Sequence, residues 1–278
     1  MTCHSWVCGN EGIDADILEE LIGPVEPKSF VIWRPGRTGP QGQLFDTAQD
    51  CSLNLNQIPN SWLQKFPSGE EIIQKAFALR KQLNATVDDR LVKRRKCEFE
   101  IFQSIEKAFW LPKISAKIET LDAFLALAQS ILQSRKSCAG NSLELHTRQI
   151  LLEENFVVGR DFQHRPTTEN GKRPDFIFPS QAAYNDPSFP ADKLLMLAAK
   201  TTCKDRWRQV MDEADRIPKK HLLTLQEGLS ETQFRQMNEA GISLIVPTKL
   251  QSSYPTSIRP YLLSLESFVA ELRVKLAA

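Results

Sequence analysis

The stretch LMLAAKTTCKDRWRQVMDEAD, residues 195–215, decides how the rest of the chain is interpreted. It opens with a short apolar run and then reaches a lysine, Lys200. Such a run is typical of a buried strand. Apolar residues then recur at helical spacing, at Trp207, Val210, Met211, Ala214 and Ile217. The stretch therefore predicts a buried strand, a helix over residues 205–217, and charged side chains where the two meet.

Strand and helix patterns alternate through the second half of the chain. Apolar runs predict strands in PDFIFPS, KLLMLAA, HLLTL and ISLIVP, and a helical pattern, SLELHTRQILLEENF, precedes them. This order predicts an α/β fold in which helices flank a mixed β-sheet. We expect two parts, an irregular and helical extension over residues 1–84 and the α/β domain over residues 85–278.

Three helices are predicted ahead of the α/β pattern. Ser68 with Glu71 forms a capping box that starts a helix through about Leu83. Asp88 and Asp89 suit the first turn of a second helix, where acids face the positive end of the helix dipole. A third helix, with Thr120 as its cap, runs through about Lys136.

Composition describes an ordinary globular chain with a near-neutral charge. The sequence is 41% hydrophobic and 25% charged, and its net charge is +1. No run approaches the roughly 18 apolar residues of a membrane span, so we expect a cytoplasmic protein with no membrane partner. Its six cysteines include no CxxC pair and are expected to be free thiols. Cys3, His4 and Cys8 lie close together, but further metal ligands are not nearby and their role stays open.

An acid and a lysine occupy matching places on two neighbouring strands. Asp175 starts one apolar run and Lys200 ends the next. A carboxylate can hold Mg²⁺, and an ammonium can stabilise phosphate oxygens or orient water, so the pair suits hydrolysis of a phosphodiester. A second carboxylate is usual two residues before the lysine, but that residue is Ala198. Glu213, on the edge of the predicted helix, could replace it, although a solvated helix acid is an equal alternative.

The junction between strand and helix carries a basic–acidic–basic triplet, Lys204, Asp205 and Arg206. Lysine and arginine can donate to guanine, and an acid can accept from cytosine, so the triplet could recognise G·C pairs in the major groove. The alternative is a helix start with Asp205 as its cap and two solvated cations. Two cations oppose the helix dipole there, which favours a functional role.

These residues together resemble a known family. Asp175, Lys200, the triplet and Glu213 follow the pattern PD, then K-x3-(R/K)-(D/E)-R-x6-E, which resembles the catalytic domain of EcoRII-type restriction endonucleases. The resemblance implies a PD-(D/E)xK fold of the CCGG-family type, in which the second acid has moved from the strand to the helix. It implies that Asp175 and Glu213 bind Mg²⁺ and that Lys200 is the catalytic lysine.

The resemblance also implies roles for several other residues. Tyr184 matches an active-site tyrosine, with a surface aromatic as the alternative, and Glu144 matches an auxiliary metal-binding acid, with a plain helix glutamate as the alternative. The triplet and Arg208 would contact DNA. The run Lys93, Arg94, Arg95 and Lys96 is consistent either with phosphate contacts or with a solvated helix face. Base flipping needs a stacking residue, and the candidates by type are Trp33, Arg34, Arg37 and Trp62.

The function that the resemblance implies is that of a prokaryotic type II restriction endonuclease. It would be a homodimer that cleaves double-stranded DNA at a CCWGG-like site with Mg²⁺, while a cognate DNA methyltransferase protects host sites. The extension over residues 1–84 could contact DNA or the dimer partner. About 80 residues precede the shared helices, which resembles free-standing, PspGI-like members of the family. The alternatives are a nuclease of other specificity and a catalytically silent DNA-binding module; the central base pair stays open.

Overall fold

The computed structural model describes residues 51–81, 85–116, 118–203 and 206–277. The first 50 residues of the predicted extension lie outside these ranges. So do the predictions made on the Cys3, His4 and Cys8 cluster and on Trp33, Arg34 and Arg37. Within the described ranges no helix is long and apolar enough to cross a membrane.

Among the described residues, five α-helices precede the sheet. They are α1 (Asn60–Gln64), α2 (Gly69–Leu79), α3 (Val87–Ser115), α4 (Leu121–Ala139) and α5 (Ser142–Glu153). The capping box of Ser68 and Glu71 is confirmed at the start of α2, and Thr120 caps α4 as predicted. The α2 helix ends at Leu79, earlier than the predicted end near Leu83.

The sheet has five strands in the order in which they occur in the chain. They are β1 (Gln163–His164), β2 (Phe176–Phe178), β3 (Leu195–Ala199), β4 (Lys220–Leu223) and β5 (Ile242–Ile245). The first three strands pair antiparallel, and β3, β4 and β5 pair parallel. The predicted mixed sheet with flanking helices is therefore confirmed.

The helices after β2 are α6 (Gln181–Asn185), α7 (Arg206–Met211), α8 (Glu231–Glu239), α9 (Thr248–Gln251) and α10 (Leu265–Ala277). The helix predicted over residues 205–217 is wrong in its second half, because α7 ends at Met211. Ala214 has a φ of 52°, which a right-handed helix cannot contain. Ala214 and Ile217 are nevertheless buried, so the apolar pattern is real but a turn, and not a helix, buries its last two members.

Side chains on the two faces of β3 enter different surroundings. Leu195, Leu197 and Ala199 belong to the main core with aromatic residues of β2 and α10, including Phe178 and Phe268. Because side chains alternate along a strand, Ala198 and Lys200 lie on the opposite face. One face of β3 therefore packs in the main core, and the other face carries Lys200 at the end of the strand.

A second apolar cluster joins the N-terminal helices around a disulfide. Cys51 and Cys97 are bonded, with a Cα–Cα distance of 5.1 Å, and Ile72, Ile101 and Ile105 are buried in the same cluster. The prediction that all cysteines are free thiols is wrong for this pair. Composition and spacing could not reveal it, because the two residues are 46 positions apart and meet only when the segment before α1 packs on α3.

Candidate active site

The register between β2 and β3 brings Asp175 and Lys200 together. Phe176 pairs with Leu197, so Asp175 continues the pairing opposite Ala198. The Asp175 Oδ2 atom accepts hydrogen bonds from the Ala199 amide at 2.7 Å and from Lys200 Nζ at 3.0 Å. Asp175 is only 7% exposed. Burial raises its pKa, and the Lys200 ammonium opposes that rise. The two residues form a partly buried acid–lysine pair at the start of β2 and the end of β3.

Glu213 reaches the same place from the turn that follows α7. Burial raises the pKa of Glu213 to about 7, and among neighbouring charges Lys200 lowers it while Asp175 raises it. Its Oε2 atom is buried and has no hydrogen-bond partner among the described residues. A buried carboxylate oxygen without a donor is costly unless a ligand satisfies it. The structure thus brings Asp175, Lys200 and Glu213 together around an unsatisfied oxygen.

Ala198 explains how there is room for Glu213. Its side chain lies on the same strand face as Lys200 and opposite Asp175, which is the place that a strand-borne second acid would take. A methyl group there leaves space that a carboxylate from outside the sheet can fill. Position 198 therefore supplies no carboxylate to the site, and the nearby second acid is Glu213, from the turn after α7.

The residues present fit a magnesium ion. Mg²⁺ prefers oxygen ligands and usually takes one or two carboxylates together with water and substrate phosphate. Both hydrogen bonds to Asp175 use Oδ2, so Oδ1 can face a cation, as can the orphan Oε2 of Glu213. No group of three or more acidic, histidine or cysteine ligands occurs among the described residues, so water and substrate phosphate would have to supply the remaining ligands.

Glu144 lies behind this site in a strong ion pair. Its carboxylate accepts from His164 Nε2 at 2.5 Å and from the Arg165 guanidinium at 2.5 and 2.9 Å. Burial favours a higher pKa, but these hydrogen bonds outweigh it and hold the pKa of Glu144 at about 2. Its charge also raises the pKa of Asp175, so it is an electrostatic neighbour of the site. Both of its oxygens already have protein partners.

Tyr184 is buried on α6 and contacts the turn after α7. It is 3% exposed. Its hydroxyl donates to the Glu169 carboxylate and accepts from the Arg216 amide at 3.4 Å. These partners differ from Asp175 and Lys200, with which the sequence grouped it.

The predicted DNA-contact residues are described only in part. Lys204 and Asp205 lie outside the described residues, whereas Arg206 and Arg208 are exposed on α7. The Arg208 guanidinium lies 5.1 Å from the centroid of the Trp207 ring. Both arginines are therefore accessible to a ligand next to the acid–lysine pair.

Sequence reasoning missed the residues that anchor the segment ahead of α7. The Cys203 amide donates to Gln226 Oε1 at 2.7 Å, and Thr224 Oγ1 donates to the Thr201 carbonyl at 3.1 Å. No local pattern marks Gln226 or Thr224. They reach this segment only because β3 and β4 are neighbours in the sheet.

Two arginines of the basic run on α3 take part in the fold, whereas Lys93 is exposed. Arg94 is buried and bonds to Glu153 at 2.8 Å, and Arg95 bonds to Glu98 at 2.6 Å. Both sequence interpretations, phosphate contact and solvated face, are therefore wrong for Arg94 and Arg95. Trp62, one of the candidates for stacking a flipped base, packs against the N-terminal apolar cluster.

Comparisons with family models and with curated proteins find restriction enzymes. A model of the EcoRII C-terminal family matches residues 102–269, and a model described as restriction endonuclease EcoRII, N-terminal, matches residues 1–37. The type II restriction enzyme EcoRII of Escherichia coli is 42% identical over 270 residues, which cover 96% of this chain and 64% of that protein. The type II restriction enzyme SsoII of Shigella sonnei is 27% identical over 127 residues, or 43% of this chain and 40% of that protein.

Solved structures show the same fold. Metal-depleted Ecl18kI in complex with uncleaved DNA superposes with a TM-score of 0.61 at 21% identity, covering 77% of this chain and 80% of that one. The complex of the restriction endonuclease PspGI with substrate DNA superposes with a TM-score of 0.60 at 19% identity, covering 81% of this chain and 98% of that one.

The fold and the acid–lysine site define the chain as a protein with the PD-(D/E)xK restriction-endonuclease fold. More particularly, the chain belongs to the EcoRII C-terminal family, whose model matches most of it. It spans 64% of the length of EcoRII. The match of residues 1–37 to the EcoRII N-terminal model was not anticipated by the sequence interpretation, which likened the chain to free-standing members.

Glu213 predicts a pH dependence of stability in the metal-free protein. A raised pKa means that the folded state keeps a proton that the unfolded state releases, so stability should fall as pH rises from 4.5 to about 7. Glu213→Gln should lack this component and should be more stable than wild type above pH 7, with the difference vanishing near pH 4.5. Urea unfolding in EDTA across this range measures it. Glu239→Gln, at an exposed acid of α8, is the control; equal pH profiles for Glu213→Gln and wild type would contradict the assignment.

Proposed function

We propose that the chain carries the catalytic domain of a type II restriction endonuclease that cleaves double-stranded DNA at a CCWGG-like site with Mg²⁺. The observation that carries the proposal is the orphan Oε2 of Glu213 beside the Asp175–Lys200 pair. Membership of the EcoRII C-terminal family supports it, as does the likeness to proteins whose structures are DNA complexes. A catalytically silent DNA-binding module would gain nothing from a buried Glu213 oxygen that has no donor and lies beside the Asp175–Lys200 pair.

Each residue of the site has a separate task in this proposal. Asp175 and Glu213 would hold Mg²⁺, which polarises the scissile phosphate and lowers the pKa of the attacking water. Lys200 stabilises negative charge on the phosphate oxygens, and its bond to Asp175 Oδ2 keeps the ammonium in place. The auxiliary role of Glu144 is proposed to be electrostatic instead of metal-binding, because both of its carboxylate oxygens have protein partners. In this role it tunes the charge of Asp175 from its ion pair with Arg165.

Recognition is proposed to come from Lys204, Asp205, Arg206 and Arg208. The two arginines are exposed at the α7 end of the site, where guanidinium groups can bind guanine in the major groove. A nuclease without base specificity would not need an acid between two cations. Flipping of the central bases, a methyltransferase that protects host DNA, and a prokaryotic cytoplasmic location complete the proposal. The division at residues 84/85 remains part of it.

An exposed apolar corner supports a homodimer. The end of α3 and the first turns of α4 expose Leu111, Ile114, Leu121, Phe124 and Leu125, with Leu121 at 71% and Phe124 at 53%. Clusters of exposed large apolar side chains mark interaction surfaces. A two-fold dimer matches the symmetry of a palindromic duplex. We propose that this corner forms the dimer interface.

Cleavage of a plasmid tests the central proposal. Purified protein with Mg²⁺ should give discrete fragments whose sequenced ends map to CCWGG-like sites. Asp175→Ala should give none, because one of two metal-binding carboxylates is lost. Asp192→Ala, at an exposed acid in the turn Ala191–Lys193, is the matched control and should cut normally. Fragments that are unaffected by Asp175→Ala would refute the assignment of the site.

Substitution of Arg206 tests base recognition. If its guanidinium binds a guanine, Arg206→Ala should weaken binding to the cognate duplex by on the order of 1–3 kcal/mol and relax discrimination at one base pair. Competition binding in Ca²⁺ with cognate and single-mismatch duplexes measures both. Arg235→Ala, on α8, controls for the loss of one exposed positive charge. An equal loss on all duplexes would instead make Arg206 a phosphate contact.

Substitution of Phe124 tests the dimer interface. Phe124→Lys places a charge in the apolar corner and should raise the dimer dissociation constant more than about tenfold. Light scattering over a concentration series gives this value. Val274→Lys is the control, because Val274 is 74% exposed but lies on α10, away from the corner in the sequence. A dimer unchanged by Phe124→Lys would place the interface elsewhere.

A further inference from the structure

The turn that carries Glu213 has an unfavourable backbone. Helix α7 ends at Met211, and Ala214 adopts a φ of 52°, in the left-handed region that alanine rarely occupies. Two local backbone hydrogen bonds support the turn. The Glu213 amide donates to the Val210 carbonyl at 3.2 Å, and the Ile217 amide donates to the Ala214 carbonyl at 2.9 Å. A conformation of this kind persists only when surrounding groups hold it.

Side chains from three other parts of the fold hold the backbone on both sides of Glu213. Lys220, at the start of β4, donates to the Met211 carbonyl at 2.8 Å. Lys172 donates to the Asp212 carbonyl. On the other side, the Asp215 amide donates to Glu169 Oε2 and the Arg216 amide to the Tyr184 hydroxyl, each at 3.4 Å. Glu213 thus sits between two pairs of anchored peptide groups.

Tyr184 and Glu169 act as one unit on the C-terminal side of Glu213. The Tyr184 hydroxyl donates to Glu169 Oε1 while it accepts from the Arg216 amide. The Arg216 guanidinium in turn donates hydrogen bonds to the backbone carbonyls of Tyr184, Asp186 and Phe189. It also lies over the Tyr184 ring, 5.6 Å from its centroid. The tyrosine therefore joins α6, the turn before β2 and the turn after α7.

We infer that Tyr184 is a positioning residue that, together with Glu169, holds residues 215 and 216 so that the Glu213 carboxylate faces Asp175 and Lys200. This inference rests on the proposed function of Glu213 as a metal ligand. It assigns Tyr184 a task that does not require contact with DNA, which agrees with its burial and with the partners of its hydroxyl. It also brings in Glu169, which no sequence motif marked.

Hydrogen exchange in the metal-free protein tests the structural half of the inference. Tyr184→Phe keeps the ring and the backbone carbonyl that Arg216 contacts but removes the hydroxyl. Amides 215 and 216 should then exchange at least about tenfold faster, because the bond to residue 216 is lost and Glu169 is no longer held. Tyr261→Phe, at an exposed tyrosine, is the matched substitution and should leave these amides unchanged. Unchanged exchange in Tyr184→Phe would overturn the inference.

Metal dependence distinguishes positioning from direct catalysis. A residue that orients a metal ligand typically changes metal affinity by about 10–100-fold. Tyr184→Phe should therefore raise the Mg²⁺ concentration for half-maximal single-turnover cleavage by about tenfold, with most of the rate recovered at saturating Mg²⁺. Calorimetric titration of Ca²⁺ into the protein–DNA complex should show the same loss of affinity. A rate that drops equally at every Mg²⁺ concentration, with Ca²⁺ affinity unchanged, would make the hydroxyl a catalytic group and refute positioning.

A double-mutant cycle checks that the two residues act through each other. If Tyr184 works through Glu169, Tyr184→Phe should add little to the metal-affinity loss of Glu169→Ala, whereas independent roles predict additive losses, which would overturn the coupling. Failure of the proposed function is recognisable separately. In that case wild-type protein itself would bind no Ca²⁺ at Asp175 and Glu213, and Asp175→Ala would leave the titration unchanged.

Discussion

The antiparallel pairing of β2 with β3 is the constraint on which the site depends. Its register places Asp175 beside the end of β3, where the Asp175 side chain accepts from the Ala199 amide and so continues the pairing beyond the last backbone bond. A slip of one residue would turn every side chain of β2 to the other face and move the carboxylate away from Lys200. The hydrogen bond from the Ala199 amide to Asp175 therefore belongs both to the sheet and to the site. The register of β2 and its buried aromatic residues also determines where the Asp175 carboxylate lies.

The metal-free site carries an electrostatic cost that the fold tolerates. The pKa values of Asp175 and Glu213 are both raised, chiefly by burial. The charge of Glu144 further raises the pKa of Asp175, and the charge of Asp175 further raises the pKa of Glu213. Lys200 compensates only part of this charge. A divalent cation would satisfy both carboxylates at once, because it replaces repulsion by attraction and supplies the missing partner of Glu213. The left-handed backbone at Ala214 adds a conformational cost to the turn that carries Glu213.

The surroundings of a charged residue in this chain, and not its residue type, decide whether it forms a structural ion pair. Arg94 and Arg95 are in a basic run that resembles a nucleic-acid contact, yet they are used in ion pairs between α3 and α5 and within α3. Glu144 is an acid next to the site, yet both of its oxygens are occupied by His164 and Arg165. In the sequence Glu213 is one acid among many. In the structure it differs from Glu144 because its buried Oε2 atom has no hydrogen-bond partner among the described residues. The hydrogen-bond and ion-pair partners of a charged residue show whether it stabilises the fold or is available to a ligand. Sequence spacing does not reveal these partners.

The sequence by itself determined the four strands β2 to β5, the capping of α2 and α4, and the residue types of the site. These depend on local periodicity and on contacts a few residues apart. Tertiary structure alone decided that α7 stops at Met211, that Cys51 meets Cys97, and that Tyr184 contacts the turn carrying Glu213. Each of these depends on groups distant in sequence, since the φ of Ala214 and the anchors around it come from packing. Local sequence patterns do not show which distant donor will form a hydrogen bond with a given carbonyl.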